Sequence, residues 1–179
     1  MDRISLSVPL LIKTVDNHET LKEKILKDIE SMGTTSLINP LTDTRISNTD
    51  WHMKADYPRP YINTIRCLLE EVVYDLKREL VMDETDQIGV NECWFQQYTK
   101  GDNHRFHYHL GAFYNCVYYV ELPEDGPKTT IRIGGVHIDV PVKEGQILCF
   151  PGTLEHCSKP NESEGRKTVI AFNTVIPTQ

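Results

Sequence analysis

The sequence predicts a mostly β protein with flanking helices, a sandwich or barrel with two N-terminal helices covering one outer face. Three observations carry this. From about residue 88 the apolar pattern changes to a period of two, in "ECWFQQY", "FYNCVYYVEL", "TTIRI", "VHIDVPV", "QILCF" and "KTVIAFNTV". Turn formers such as "KGD", "PEDGPK", "GG", "KEG" and "NESEG" separate these runs at near-regular spacing. Before residue 88, two stretches instead show the 3.6-residue period of amphipathic helices.

The first helix is expected within 15–32. Asp16 opens it and Glu19 follows three residues on, as a capping box requires. Leu21, Ile25, Ile29 and Met32 then line one face, and Gly33 stops the run. The second is expected over 61–80, introduced by Pro60, with Ile62, Ile65, Leu69, Val72, Leu76 and Leu80 forming its apolar stripe. Between them, residues 34–60 are polar and turn-rich and read as a long ordered loop or short strands. The 179 residues are read as one domain, with a helical part at 1–87 and a β core at 88–176.

The formal net charge of -7 argues against a general nucleic-acid binder, because phosphate contacts need clustered Lys and Arg. The five cysteines are odd in number and form no CxxC. Cys67, Cys93, Cys116 and Cys149 lie in apolar runs and read as free, buried thiols, so a reducing, cytoplasmic setting is expected. No stretch approaches the length of a membrane span, and the N-terminus lacks the pattern of a signal peptide.

Chemistry concentrates in "NHRFHYHLGAFYNCVYYV", residues 103–120, where three of the seven histidines fall within six positions. Alternate residues of a strand share a face, so His107 and His109 in "FHYH" project together and can grip one transition-metal ion. The candidate third ligand is His156, which follows an apolar strand and a Pro-Gly turn in "EGQILCFPGTLEH". Ten residues on, Arg166 opens the last strand with Thr168 on the same face. A metal beside a cation and a hydroxyl suits a small dicarboxylate, chelated at its keto-acid end and anchored at its far carboxylate. His104 lies outside the two-residue register and reads as a surface or supporting residue. His137 reads as structural, as does His52, which also stands where it could line a substrate mouth. Trp94 and Gln96 alternate with Tyr98 and are candidates for the barrel interior.

These residues resemble the iron(II)/2-oxoglutarate-dependent oxygenases, in particular the prolyl-4-hydroxylase-like branch with its small bacterial and phage members. In that branch a tyrosine and a glycine precede the first ligand, as Tyr98 and Gly101 do in "QYTKGDNHRFHYH". The family's H-x-D pair falls on His107 and His109, and its distal histidine on His156. Its "YYL"-type strand falls on "VYYVEL", which puts Tyr119 at a co-substrate-bonding position, and Arg166 matches the basic anchor of the C5 carboxylate. The resemblance covers roughly residues 88–175. His109 departs from it, replacing an acid and leaving one more positive charge on the metal site.

The resemblance implies a double-stranded β-helix (a jelly roll of cupin-like type) binding iron(II) through His107, His109 and His156. It implies 2-oxoglutarate as co-substrate, held by Arg166, Tyr119, Thr168 and Tyr98, and O2 as the second. No side chain need act as a general base. The activity implied is hydroxylation of a C–H, with succinate and carbon dioxide as co-products and a peptidyl or free amino acid as the default substrate. Two other classes stay open. One is a cupin-like three-histidine dioxygenase independent of 2-oxoglutarate, which has no use for a carboxylate anchor. The other is a non-catalytic metal- or ligand-binding module.

Overall fold

The computed structural model describes residues 7–177 except 34 and 84. Two antiparallel sheets face each other, as the period of two and the turn signals predict. The larger contains β1 (Leu11–Thr14), β2 (Thr35–Asn39), β3 (Thr44–Thr49), β4 (Gly89–Tyr98), β6 (Tyr114–Glu121), β9 (Gln146–Pro151) and β11 (Lys167–Val175), in the order β1-β9-β6-β11-β4-β3-β2. The smaller contains β5 (His104–His107), β7 (Thr129–Ile133), β8 (Val136–Asp139) and β10 (Glu155–Ser158), in the order β5-β10-β7-β8. The strand order shows repeated crossing between non-consecutive strands, which is how a jelly roll is wound.

The helices α1 (His18–Glu30) and α2 (Pro60–Glu79) lie on the outer face of the larger sheet. Ile25 and Ile29 of α1, and Tyr61, Ile65, Leu68, Leu69, Val72 and Leu76 of α2, bury against Phe95, Cys116, Tyr118, Ile147, Ile170 and Phe172. Alternation then sends the intervening sheet residues inward. Tyr98, Tyr119, Leu148, Phe150 and Val169 form a second core with Ile131, Val140 and Val142 between the sheets. Pro60 occupies the first turn of α2, where its missing N–H costs nothing.

Several local expectations shift. Helix α1 starts at His18, with Asn17 in the capping position and no side-chain cap hydrogen bond, so Asp16 does not close a capping box. Of the two readings of residues 34–60, short strands is the one found, as β2 and β3; the helical part also supplies β1, a strand the sequence does not predict, to the larger sheet. All five cysteines are free. Cys116, Cys149 and Cys157 are buried, but Cys67 is exposed, because α2 turns it away from the sheet that Ile65 and Leu68 contact. Among the described residues, no helix is long and apolar enough to cross a membrane.

Two local devices position the site. Asp50 is fully buried and accepts from Arg59 Nε at 2.7 Å, Tyr61 Oη at 2.7 Å and the Phe95 N–H at 2.9 Å. It therefore ties the 50–60 segment, Trp51 included, to the start of α2 and to β4. Gly152, between β9 and β10, packs so closely that a Cβ there would stand 2.2 Å from the Ala112 carbonyl oxygen. Its own carbonyl accepts from the His109 N–H at 3.1 Å, and its N–H donates to the Phe113 carbonyl at 3.0 Å. The Pro-Gly turn before His156 thus also clamps the turn that carries His109.

Candidate metal centre

His107 and His156 are directly opposed in the β5–β10 pairing, and His109 follows β5 in the turn held by Gly152. Ring centroids lie 4.3 Å apart for His107 and His156, 5.1 Å for His107 and His109, and 5.2 Å for His109 and His156. One ligand atom from each can be chosen so that all three lie within 4.8 Å of one another. The β5–β10 pairing sets His107 against His156, and the turn clamped by Gly152, not the strand's own two-residue step, brings His109 beside them.

The hydrogen bonds on the back of each ring match a metal site. His107 Nδ1 meets the Arg105 carbonyl at 2.7 Å, His156 Nδ1 meets the Leu154 carbonyl at 3.0 Å, and His109 Nδ1 meets Asn173 Oδ1 at 2.8 Å. Each partner is an acceptor, so each Nδ1 carries the proton and each Nε2 keeps its lone pair for a metal. Burial pushes His107 down to about 4 and His156 down to about 3, so both are neutral at physiological pH, as a ligand must be. This donor set of three neutral nitrogens fits a divalent transition ion.

Aromatic groups enclose the cluster. His104 is not a surface residue: its ring stacks on His107 at 3.9 Å and 20°, and burial holds its pKa far below the usual imidazole value. Trp94 lies against His109 at 5.6 Å, and the half-exposed Trp51 lies against both Trp94 and His104 at 6.3 Å. His52 packs on Trp51 at the rim, whereas His137 sits on the outside against Phe106.

Behind the histidines runs a cavity lined by Trp94, Gln96, Tyr98, Asn115, Thr129, Ser158, Lys167 and Asn173. Tyr98 donates to Gln96 Oε1 at 2.7 Å, and the buried Tyr119 shares a 2.5 Å hydrogen bond with Thr129. Burial raises both phenols, Tyr119 to about 12, so they stay protonated as donors. Asn115 leaves both amide atoms without a partner, as do Gln96 Nε2 and Trp94 Nε1, all of them buried. Orphaned polar atoms cost roughly 1–3 kcal/mol each. Their grouping on one wall marks a cavity made for a polar guest.

Arg166 and Thr168 do share a face, but not the one that lines the cavity. Arg166 donates to both oxygens of Glu121 at 2.8 and 3.1 Å, and the Thr168 hydroxyl bonds the same carboxylate. Strand alternation puts the intervening Lys167 inside. It is 2% exposed and donates to Ser158 Oγ at 2.8 Å, with its Nζ 5.0 Å from the Tyr98 ring centroid and 5.8 Å from that of Tyr119. Among the described residues, no carboxylate lies within ion-pairing distance of it. Burial lowers its pKa to about 7. The sequence carried a signal for this position: Lys167 is in phase with Val169 and Ala171, which face inward. Asn173 shares that parity, whereas Asn115 is brought beside it by the β6–β11 register.

The fold is similar to the double-stranded β-helix of solved 2-oxoglutarate–Fe(II) oxygenases and prolyl-4-hydroxylases. No protein-family model matches the sequence, and no curated protein matches it either. Among solved structures, a 2OG-Fe(II) oxygenase-family oxidoreductase from Burkholderia pseudomallei superposes with a TM-score of 0.71 at 12% identity, over 93% of this chain and 85% of that one. A Pseudomonas putida prolyl-4-hydroxylase gives 0.67 at 13%, over 96% and 94%. HygX from Streptomyces hygroscopicus, solved with nickel, 2-oxoglutarate and hygromycin B, gives 0.67 at 14%, over 96% and 84%. At these identities the likeness is one of fold.

Proposed function

We propose that the protein is an iron(II)- and 2-oxoglutarate-dependent dioxygenase that hydroxylates a C–H of its substrate. The observation that carries this is Lys167, a buried lysine without a carboxylate partner, lining the same cavity as three histidines that can each offer a ligand atom within 4.8 Å of the others. A site for metal alone would not need a buried lysine. A 2-oxoglutarate-independent three-histidine dioxygenase would leave it without an anion.

In this reading His107, His109 and His156 hold the iron through Nε2. Lys167 pairs with the distal carboxylate of 2-oxoglutarate, with Ser158, Thr129 and Tyr98 near it, and Asn115 and Gln96 offer unused amide groups to the rest of the molecule. Iron(II), when bound, supplies oxygen activation coupled to decarboxylation of 2-oxoglutarate to succinate and carbon dioxide. The chain's own part is to bind, orient and exclude water. Burial of Lys167 strengthens its pairing with a carboxylate, and Trp94, His104 and Phe150 wall the cluster. Trp51 and His52 stand at the mouth, where a peptidyl or free amino acid is the substrate class we favour. Five free thiols support an intracellular setting.

The test is succinate formation by anaerobically iron-loaded protein once oxygen is admitted, compared with Lys167→Met and His156→Ala. Succinate that depends on iron and on both residues supports the reading. Iron binding without any consumption of 2-oxoglutarate, with or without candidate amino-acid substrates, overturns it.

A further inference from the structure

The three histidines differ in what fixes their tautomers. The Nδ1 partners of His107 and His156 are main-chain carbonyls, which can only accept, so those rings have no choice. The partner of His109 is the carboxamide of Asn173, which can present an oxygen or an NH2. If it presented the NH2, His109 Nδ1 would have to accept, and the proton would sit on Nε2 and block the metal.

The opposite end of that amide decides. Asn173 is 95% buried, and its Nδ2 donates to Glu92 Oε2 at 2.8 Å from the directly paired position on β4. A carboxylate only accepts, so it claims the NH2 and turns Oδ1 toward His109. We propose that Glu92, an exposed residue two hydrogen bonds from the ring, sets the tautomer of His109 through Asn173 and thereby frees Nε2 to bind metal. Glu92 is a positioning residue. The carboxylate missing from the ligand set is present behind it, where it holds the Asn173 amide in one orientation. The metal half of this inference rests on the reading of the three histidines as a metal site; the tautomer half does not.

The experiment uses the full chain with Glu92→Lys, Glu92→Ala and Glu92→Gln, changes at an exposed position. Imidazole 15N shifts are read in metal-free protein at mildly alkaline pH, where histidines are neutral, and Co(II) affinity is read by titration. Wild type is expected to carry the His109 proton on Nδ1. In Glu92→Lys the ammonium can only donate. Asn173 Oδ1 turns toward it, the proton moves to His109 Nε2, and Co(II) binding weakens by about tenfold or more. Glu92→Gln keeps an acceptor and retains the wild-type tautomer. Glu92→Ala gives a mixture and intermediate affinity. An unchanged Nδ1–H tautomer in Glu92→Lys overturns the inference. A tautomer shift in protein whose wild type takes up no cobalt upholds the relay and defeats the metal site, so the two failures are distinct.

Discussion

Arg166 and Lys167 are consecutive in the chain, yet the first clasps Glu121 on one side of the larger sheet and the second enters the cavity to reach Ser158 Oγ at 2.8 Å. Both are basic and both stand at the entrance to β11. Their environments separate them. Arg166 has a carboxylate and a side chain 37% exposed, whereas Lys167 has neither an acid nor water to offset its charge.

Replacing the two therefore has unequal consequences. Lys167→Met is expected to reduce 2-oxoglutarate turnover by roughly a hundredfold, because truncating one member of a desolvated charge pair costs about 2–5 kcal/mol. Arg166→Ala removes a half-exposed ion pair and should alter stability by less than about 1 kcal/mol, with turnover changed little. Succinate assays and thermal melts on both variants check this. A larger loss from Arg166→Ala would restore it as the anchor.

Binding of 2-oxoglutarate should weaken with rising pH. Lys167 in the free protein titrates near 7, lowered by burial, and a paired carboxylate raises that value again. Above about pH 7 binding must therefore take up a proton, so the apparent Kd should rise by up to about tenfold per pH unit. Titrations from about pH 7 to about pH 9 with iron-loaded, oxygen-free protein measure it. A flat profile would show that the ammonium is not the anchor.

Metal-free protein should lose stability in mild acid. His107 and His156 have folded pKa values of about 4 and about 3, below the ordinary imidazole value of 6.5. Between those values the unfolded chain binds protons that the folded chain refuses. Their contribution is complete above about pH 6.5 and falls as pH drops, by at most about 1.4 kcal/mol per unit for each group. Urea melts at a series of pH values would show it.

Gly152→Ala should destabilise the fold and weaken metal binding together. A Cβ 2.2 Å from the Ala112 carbonyl oxygen forces the 109–113 turn away, and His109 hangs on that turn by its own N–H. Overpacking of this kind costs roughly 1–3 kcal/mol. Co(II) affinity and Tm should fall in the same variant. A fall in Tm alone would separate the clamp from the site.

Asp50→Ala should cost roughly 3–5 kcal/mol, because it strands the Arg59 guanidinium inside the fold. It also frees the segment that carries Trp51. Denaturant unfolding checks the stability, and Trp51 fluorescence quenching checks the release.

The fold class, the two helices and the three histidines were legible in the sequence because each depends on local period. Apolar residues at helical spacing defined the buried faces of α1 and α2, the period of two defined the later strands, and H-x-H put two rings side by side. Tertiary structure decided the rest. The strands at 35–39 and 44–49 extend the larger sheet beyond β4, with 35–39 at its edge, and no local pattern announces their pairing. The phase of β11 groups Lys167 with Val169 and Ala171, but both faces of that strand are buried, so only the packing of the two sheets decides which face meets the cavity. His104 joins the cluster only because β5 stacks it on His107. Glu92 and Asn173 lie 81 positions apart, and only the β4–β11 register brings a surface carboxylate to the back of a half-buried ligand. Periodicity records which way a residue faces along its own strand; it contains no information about which strand lies alongside.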